Sequence, residues 1–171
     1  ATAAQVAQLV DGGFVTPNRR REFANVTARL LDRITPLFAD LDSIRLHGDC
    51  HRGNLLDRPG EGIMVIDFDD MMVGPPVQDL WMLLPEHANQ SRRELDLLLT
   101  GYEQFREFDD HALRLIEPLR AMRIIYYLAW CSRQVRDHRF QSLYPEWGTD
   151  AFWQRELAAL ERQLQIIDDH L

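Results

Sequence analysis

The amino-acid sequence predicts an α+β fold, predominantly helical, with a small β-hairpin where its chemistry is concentrated. Apolar residues recur at helical spacing up to residue 34 and again beyond Pro85, whereas the pattern shortens into strand-like pieces between residues 44 and 66. The turn signal Pro59-Gly60-Glu61-Gly62 closes two of those pieces into a hairpin. At 171 residues the chain has the length of one domain with a sizeable core, so a single domain over 1–171 is expected.

In chain order, residues 3–10 read as the end of a helix that Asp11-Gly12-Gly13 breaks. Asn18 is expected to cap a second helix running through Arg19-Arg20-Arg21 to about residue 33, with Phe23, Val26, Leu30, Leu31 and Ile34 as its buried stripe. The three arginines read as a solvated face and receive no function. Strands are expected at 44–46, 55–57 and 63–66. Gly74-Pro75-Pro76 then opens a helix in which Asp79 lies among Val77, Leu80, Trp81, Leu83 and Leu84, where a carboxylate needs hydrogen-bond partners. Further helices are expected over 91–105, over 112–136 with Pro118 starting or kinking the second part, and over 149–169 with Thr149 or Asp150 as its cap. Trp81, Trp130, Trp147 and Trp153 read as packing residues.

Charge and cysteine usage narrow the function classes. The 19 basic residues against 27 acidic ones give a formal charge of −8, which argues against nucleic acid or an anionic membrane as partner. Cys50 and Cys131 are far apart and outside any zinc-like grouping, which suits a reduced, cytoplasmic setting. No apolar run has bilayer-spanning length, and residues 1–15 lack a signal-peptide pattern.

The chemistry is concentrated in Leu46-His47-Gly48-Asp49-Cys50-His51-Arg52-Gly53-Asn54 and in Met64-Val65-Ile66-Asp67-Phe68-Asp69-Asp70. An Asp followed five residues later by an Asn suits phosphoryl transfer: the carboxylate orients and deprotonates an acceptor hydroxyl while the amide oxygen is a hard ligand for Mg²⁺. Asp67, delivered by an apolar strand, can bridge Mg²⁺ to the phosphates of ATP. Asp49 and Asp67 are therefore the expected catalytic residues, His47, Asn54 and Asp67 the cofactor-binding ones, and Asn54 and Asp67 the metal ligands. His47 and His51 also form an i,i+4 pair of the kind that binds zinc on a helix, although Gly48 and Gly53 oppose a helix there. Asp69 and Asp70 are either part of a second metal site or a solvated turn. Cys50 lies next to Asp49, where its oxidation would affect activity, although the neighbouring carboxylate should raise the thiol pKa and disfavour the reactive thiolate. Arg120 and Arg123 share a helix face with Glu117, either as a substrate contact or as an internal ion-pair network.

This spacing resembles the His-Arg-Asp catalytic loop and Asp-Phe-Gly metal motif of kinases, with Gly48 in place of the Arg and Asp69 in place of the Gly. Both departures make the chain similar to the aminoglycoside-phosphotransferase-like branch of the protein-kinase-like superfamily. The wording of Leu46–His51, Asp67–Asp70, Gly74–Leu84 and Ile116–Arg123 resembles the bacterial stress-response kinases of that branch, over residues 44–153. The resemblance implies the mainly helical C-terminal lobe of a kinase-like fold, a protein substrate offering a Ser or Thr hydroxyl, Asp79 as a scaffold accepting from the catalytic-loop backbone, and His47 as a residue ordering that loop. It also implies an ATP-binding N-terminal lobe absent from this chain: no Gly-rich loop is visible, and all 19 basic residues are Arg, so the expected phosphate-pairing Lys is missing. The isolated chain is accordingly expected to turn over poorly. The alternatives are a small-molecule kinase acting on an aminoglycoside, choline-like or homoserine-like acceptor, and a non-catalytic regulatory or binding module.

Overall fold

The computed structural model describes residues 1–39 and 41–170, with the backbone alone at His170. Contacts divide the chain into two compact units, one built from Ala1–Leu37 together with the chain from Pro118 onward, the other from Phe38–Glu117.

The first unit is helical. It holds α1 (Thr2–Asp11), α2 (Pro17–Ile34), most of α5 (Ile116–Gln134), α6 (His138–Leu143) and α7 (Asp150–His170). Phe23, Val26, Leu30 and Ile34 of α2 are buried as the periodicity requires, whereas Leu31 at the edge of that stripe is half-buried; with them are buried Trp153, Leu157, Leu160, Leu164 and Ile167 of α7, on which α2 packs. Phe23 meets Trp153 edge to face at 5.4 Å, and the Trp153 indole N–H donates to the Phe14 carbonyl at 2.9 Å, so the fully buried ring leaves no unmatched donor.

Helix α2 begins differently from the expectation. Its N-cap is Thr16, not Asn18, because Pro17 occupies the first helical position, where its fixed φ and missing N–H cost nothing. The Thr16 hydroxyl makes no cap bond and donates instead to Asp150 Oδ1 at 3.2 Å. Arg19 lays its Nε and Nη2 on the same carboxylate at 3.2 and 3.1 Å, so the start of α2 is tied to the start of α7. Thr149 is the cap of α7, its hydroxyl accepting from the Phe152 N–H at 3.2 Å.

Helix α5 starts at Ile116, after a 3-10 turn over Asp110–Leu115, rather than at residue 112. Pro118 thus stands in its first turn, where an N–H has no intrahelical partner to lose. Helix α6 was not anticipated. Asp137 caps it by accepting from the N–H groups of Arg139 and Phe140 at 2.7 and 3.0 Å. Trp81 and Trp153 are buried and Trp147 half-buried, but Trp130 is 39% exposed and stacks on Tyr127, so it is no core residue.

Among the described residues the second unit holds two small antiparallel sheets and two α-helices: β1 (Ile44–Leu46) with β4 (Met72–Gly74), β2 (Leu55–Arg58) with β3 (Gly62–Val65), α3 (Val77–Trp81) and α4 (Arg92–Tyr102). The β2–β3 pair is the expected hairpin, in register Leu55↔Val65 to Arg58↔Gly62. Strand β4 was not anticipated, being three residues long and paired across the whole intervening loop, Leu46 opposite Met72. Helix α4 stops at Tyr102, short of residue 105.

The Arg19 guanidinium holds the Asp150 carboxyl below the usual carboxylate range, with the Thr16 hydroxyl adding to the effect. A carboxyl depressed in the folded state contributes stability that is present above its unfolded value of about 3.9 and is lost as pH falls through the folded value. Asp150→Asn is therefore expected to lower the thermal midpoint at pH 7 and to leave it unchanged near about pH 2. Equal deficits at both pH values would assign the effect to something other than this ion pair.

Candidate active site

The loop leaving β1 is turned by contacts to α3. Asp79 stands in the first turn of that helix, and its carboxylate accepts from two consecutive backbone groups, the His47 N–H at 2.7 Å and the Gly48 N–H at 2.9 Å. This is the scaffold contact expected of it. Gly48 has φ +86°, the left-handed region, and a Cβ built there would collide with the Asp70 carbonyl. The neighbouring Gln78 completes the grip: its Nε2 donates to the Gly48 carbonyl at 3.1 Å while its Oε1 accepts from the Trp81 indole at 3.3 Å. Sequence reasoning missed Gln78, whose only signal was its place beside Asp79 on the helix that faces the loop.

The hairpin register sets the other half. With Leu55 opposite Val65, the next residues outward are Asn54 and Ile66, and the Ile66 N–H donates to the Asn54 carbonyl at 3.0 Å. Asn54 and Asp67 consequently leave the same end of the hairpin. Asn54 is 7% exposed and its Nδ2 donates to the Asp49 carbonyl at 3.0 Å, which leaves Oδ1 as the end available to a cation. Asp67 has φ +64°, the one non-glycine residue with positive φ among those described, and is exposed.

His47 stitches the two loops. Its ring is buried, Nε2 lies 2.8 Å from the Ile66 carbonyl, and Nδ1 accepts from the Asp49 N–H at 3.3 Å. Phe68 packs against it with ring centroids 4.9 Å apart. Asp49, Asn54 and, through its neighbour Ile66, Asp67 are thereby tied into one network of hydrogen bonds to backbone groups within one unit. The His47–His51 pair is not a shared ligand set: His51 caps the 3-10 turn Arg52–Asn54 through its own Nδ1, which accepts from the Gly53 N–H at 3.0 Å. Asp69 and Asp70 stand in an exposed turn. Burial raises the Cys50 thiol pKa, with the Asp79 and Asp49 charges adding to it, so at neutral pH it is a thiol and not a thiolate. Glu117, 5% exposed, accepts from the Ala88 N–H at 2.9 Å and faces His87 Nδ1 at 2.9 Å, which gives this carboxylate internal partners.

Residues 2–116 match the family described as phosphotransferase enzyme family. The chain belongs to that family. Its arrangement is the predominantly helical C-terminal lobe of a kinase-like phosphotransferase, with small antiparallel strands at the loops just described. Among curated phosphotransferase relatives, it is 39% identical over 160 residues to stress response kinase A of Escherichia coli strain K12. It is 38% identical over 160 residues to a Salmonella typhimurium protein named serine/threonine protein kinase RdoA. Both alignments cover 93% of this chain and 48% of the relative, so the chain spans about half the length of the curated relatives it matches. No helix among the described residues is long and apolar enough to cross a membrane.

Gly48→Ala brings a residue with a Cβ into a positive-φ position and against a backbone oxygen that cannot swing aside. The substitution is expected to destabilise the second unit by about 2 kcal/mol or more. Urea unfolding checks this, and a loss under about 0.5 kcal/mol, the range of ordinary surface changes, would mean the loop does not need this turn.

Proposed function

We infer that the chain is the catalytic lobe of a Mg²⁺- and ATP-dependent phosphotransferase that phosphorylates Ser or Thr hydroxyls of proteins. The observation that carries the reading is the linkage of Asp49, Asn54 and Ile66, the residue before Asp67, by the Asn54 amide on the Asp49 carbonyl and the Ile66 N–H on the Asn54 carbonyl, with the His47 ring fixing Ile66. In this reading Asp49 accepts the hydrogen bond of the acceptor hydroxyl, aims its oxygen at the γ-phosphorus and takes its proton as the new O–P bond forms, while the bond from the γ-phosphorus to the β–γ bridging oxygen breaks and ADP leaves. Asn54 Oδ1 and the Asp67 carboxylate are hard oxygen donors of the kind Mg²⁺ takes, and they leave one end of one hairpin, so the residues present fit that ion. When bound, such an ion neutralises charge on the β- and γ-phosphates. His47 serves the cofactor site indirectly, by holding the strand end that bears Asp67.

The reading also includes a strand-rich, ATP-binding lobe outside these 171 residues, supplying the Gly-rich loop and cationic phosphate contact that the sequence lacks. Support for a protein acceptor comes from the name of the Salmonella relative, serine/threonine protein kinase RdoA. Two free cysteines, one of them buried, suit a reducing cytoplasm. The exposed carboxylates of Asp69 and Asp70 beside the site favour a second reading, a kinase for a cationic small alcohol.

The test is transfer of the γ-phosphate by the longer protein, offered a casein-like substrate and a panel of small alcohols including an aminoglycoside and choline. Labelled protein is expected, with a loss of about 10²-fold or more in Asp49→Asn. Label on an alcohol alone would establish the second reading. Transfer to nothing, with Mg·ATP unbound, would leave a binding module.

A further inference from the structure

His51 is not used by the chemistry derived above, yet its ring lies against the residue that chemistry depends on. Its side chain is 40% exposed, and Nε2 stands 3.5 Å from Asp49 Oδ2, whose side chain is 16% exposed. The opposite ring nitrogen is committed, since Nδ1 accepts from the Gly53 N–H at 3.0 Å. A ring nitrogen that accepts a hydrogen bond carries no proton, so the proton of the neutral ring belongs on Nε2, facing the carboxylate. Gly53 is what lets the ring sit so close: a Cβ there would come within 2.8 Å of the His51 ring carbon Cε1 and 3.0 Å of Nδ1. The ring orientation is therefore imposed from the turn side, independently of Asp49.

Resting on the reading of Asp49 as the hydroxyl-orienting base, we propose that His51 is a positioning residue for it: Nε2–H donates to Asp49 Oδ2 and fixes the plane of the carboxylate toward the acceptor. At 3.5 Å the contact is longer than a formed hydrogen bond, and catalytic contacts of this kind shorten when substrate closes the site. The arrangement costs no turn stability, because the ring's other nitrogen already serves as the cap of the Arg52–Asn54 turn.

The two ends of the ring are separable by substitution. In His51→Asn an amide oxygen takes the place of Nδ1 and keeps the cap, while nothing reaches Asp49. In His51→Gln an amide N–H reaches the position of Nε2. In the longer protein, His51→Asn is expected to keep the wild-type thermal midpoint and the KM for ATP while kcat falls about tenfold or more, and His51→Gln to restore kcat to within a few-fold. Wild-type kcat in His51→Asn, or equal losses in both variants, would reduce His51 to a turn cap and overturn the proposal.

A second readout does not need turnover. Selective ¹⁵N labelling of histidine should show His51 with Nε2 protonated and Nδ1 bare, and Asp49→Asn should shift the Nε2 resonance alone. A proton on Nδ1, or no response to Asp49→Asn, would overturn the contact. An Nε2 response in a protein that transfers no phosphate would sustain the contact and sink the kinase reading instead.

Discussion

The candidate site depends on one carboxylate that takes no part in the proposed chemistry. Asp79 accepts from the N–H groups of two successive residues, His47 and Gly48, and hydrogen bonds to an ionised acceptor contribute roughly 1.5–3 kcal/mol each. Successive N–H groups alternate sides in an extended strand, so both can meet one carboxylate only if the chain leaves the strand conformation between them. Gly48 supplies that departure at φ +86°. Helix α3 is five residues long, far below the length at which a helix persists by itself, so the dependence runs both ways: the loop supports the helix whose Gln78 and Asp79 grip it.

Ile66 shows how the same constraint reaches the second loop. Its N–H is held by the Asn54 carbonyl and its carbonyl by the His47 ring, so the residue before Asp67 has neither backbone group left to move. Asp67 follows in the left-handed region, which costs a non-glycine residue of order 1–3 kcal/mol, though Asp tolerates it better than most. A conformation of that cost persists because the residues on either side leave no cheaper one. The consequence is a carboxylate whose backbone direction is set before any ligand arrives, which suits the role proposed for it in charge stabilisation at a transferring phosphoryl group.

Local signals explain what was readable in advance. The β2–β3 hairpin declares itself through a Pro-Gly turn between two apolar runs, and its register then sets Asn54 and Asp67 at the same end of the hairpin. The apolar neighbours of Asp79, Val77, Leu80 and Trp81, said only that a carboxylate there would need partners if buried, and its scaffold role was readable from the resemblance to kinase-like enzymes. Strand β4 was not, since three residues gain strand identity only by pairing with β1 across the loop. The cap of α2 was misassigned to Asn18 because Pro17 outranks a capping side chain one residue later, and Trp130 looked like core because helical spacing does not say which face of α5 is covered. Gln78 resembles any surface amide until the Gly48 carbonyl is seen opposite it.

The two loop histidines illustrate a limit of spacing arguments. At i,i+4 they suggest one metal site, but each ring accepts at Nδ1 from the backbone N–H two residues downstream, Asp49 for His47 and Gly53 for His51. The same local bond, made twice, sends the two Nε2 atoms to different targets: the Ile66 carbonyl at 2.8 Å and the Asp49 carboxylate at 3.5 Å. A neutral imidazole suits both places because it is rigid and has an acceptor at one nitrogen and a donor at the other. Asn or Gln carries both functions on one amide carbon and cannot hold a turn with one end while reaching across a loop with the other. The chemical demand at residues 47 and 51 is thus for a strut of fixed length and polarity, and a His-Gly-Asp-Cys-His run meets it twice in five residues.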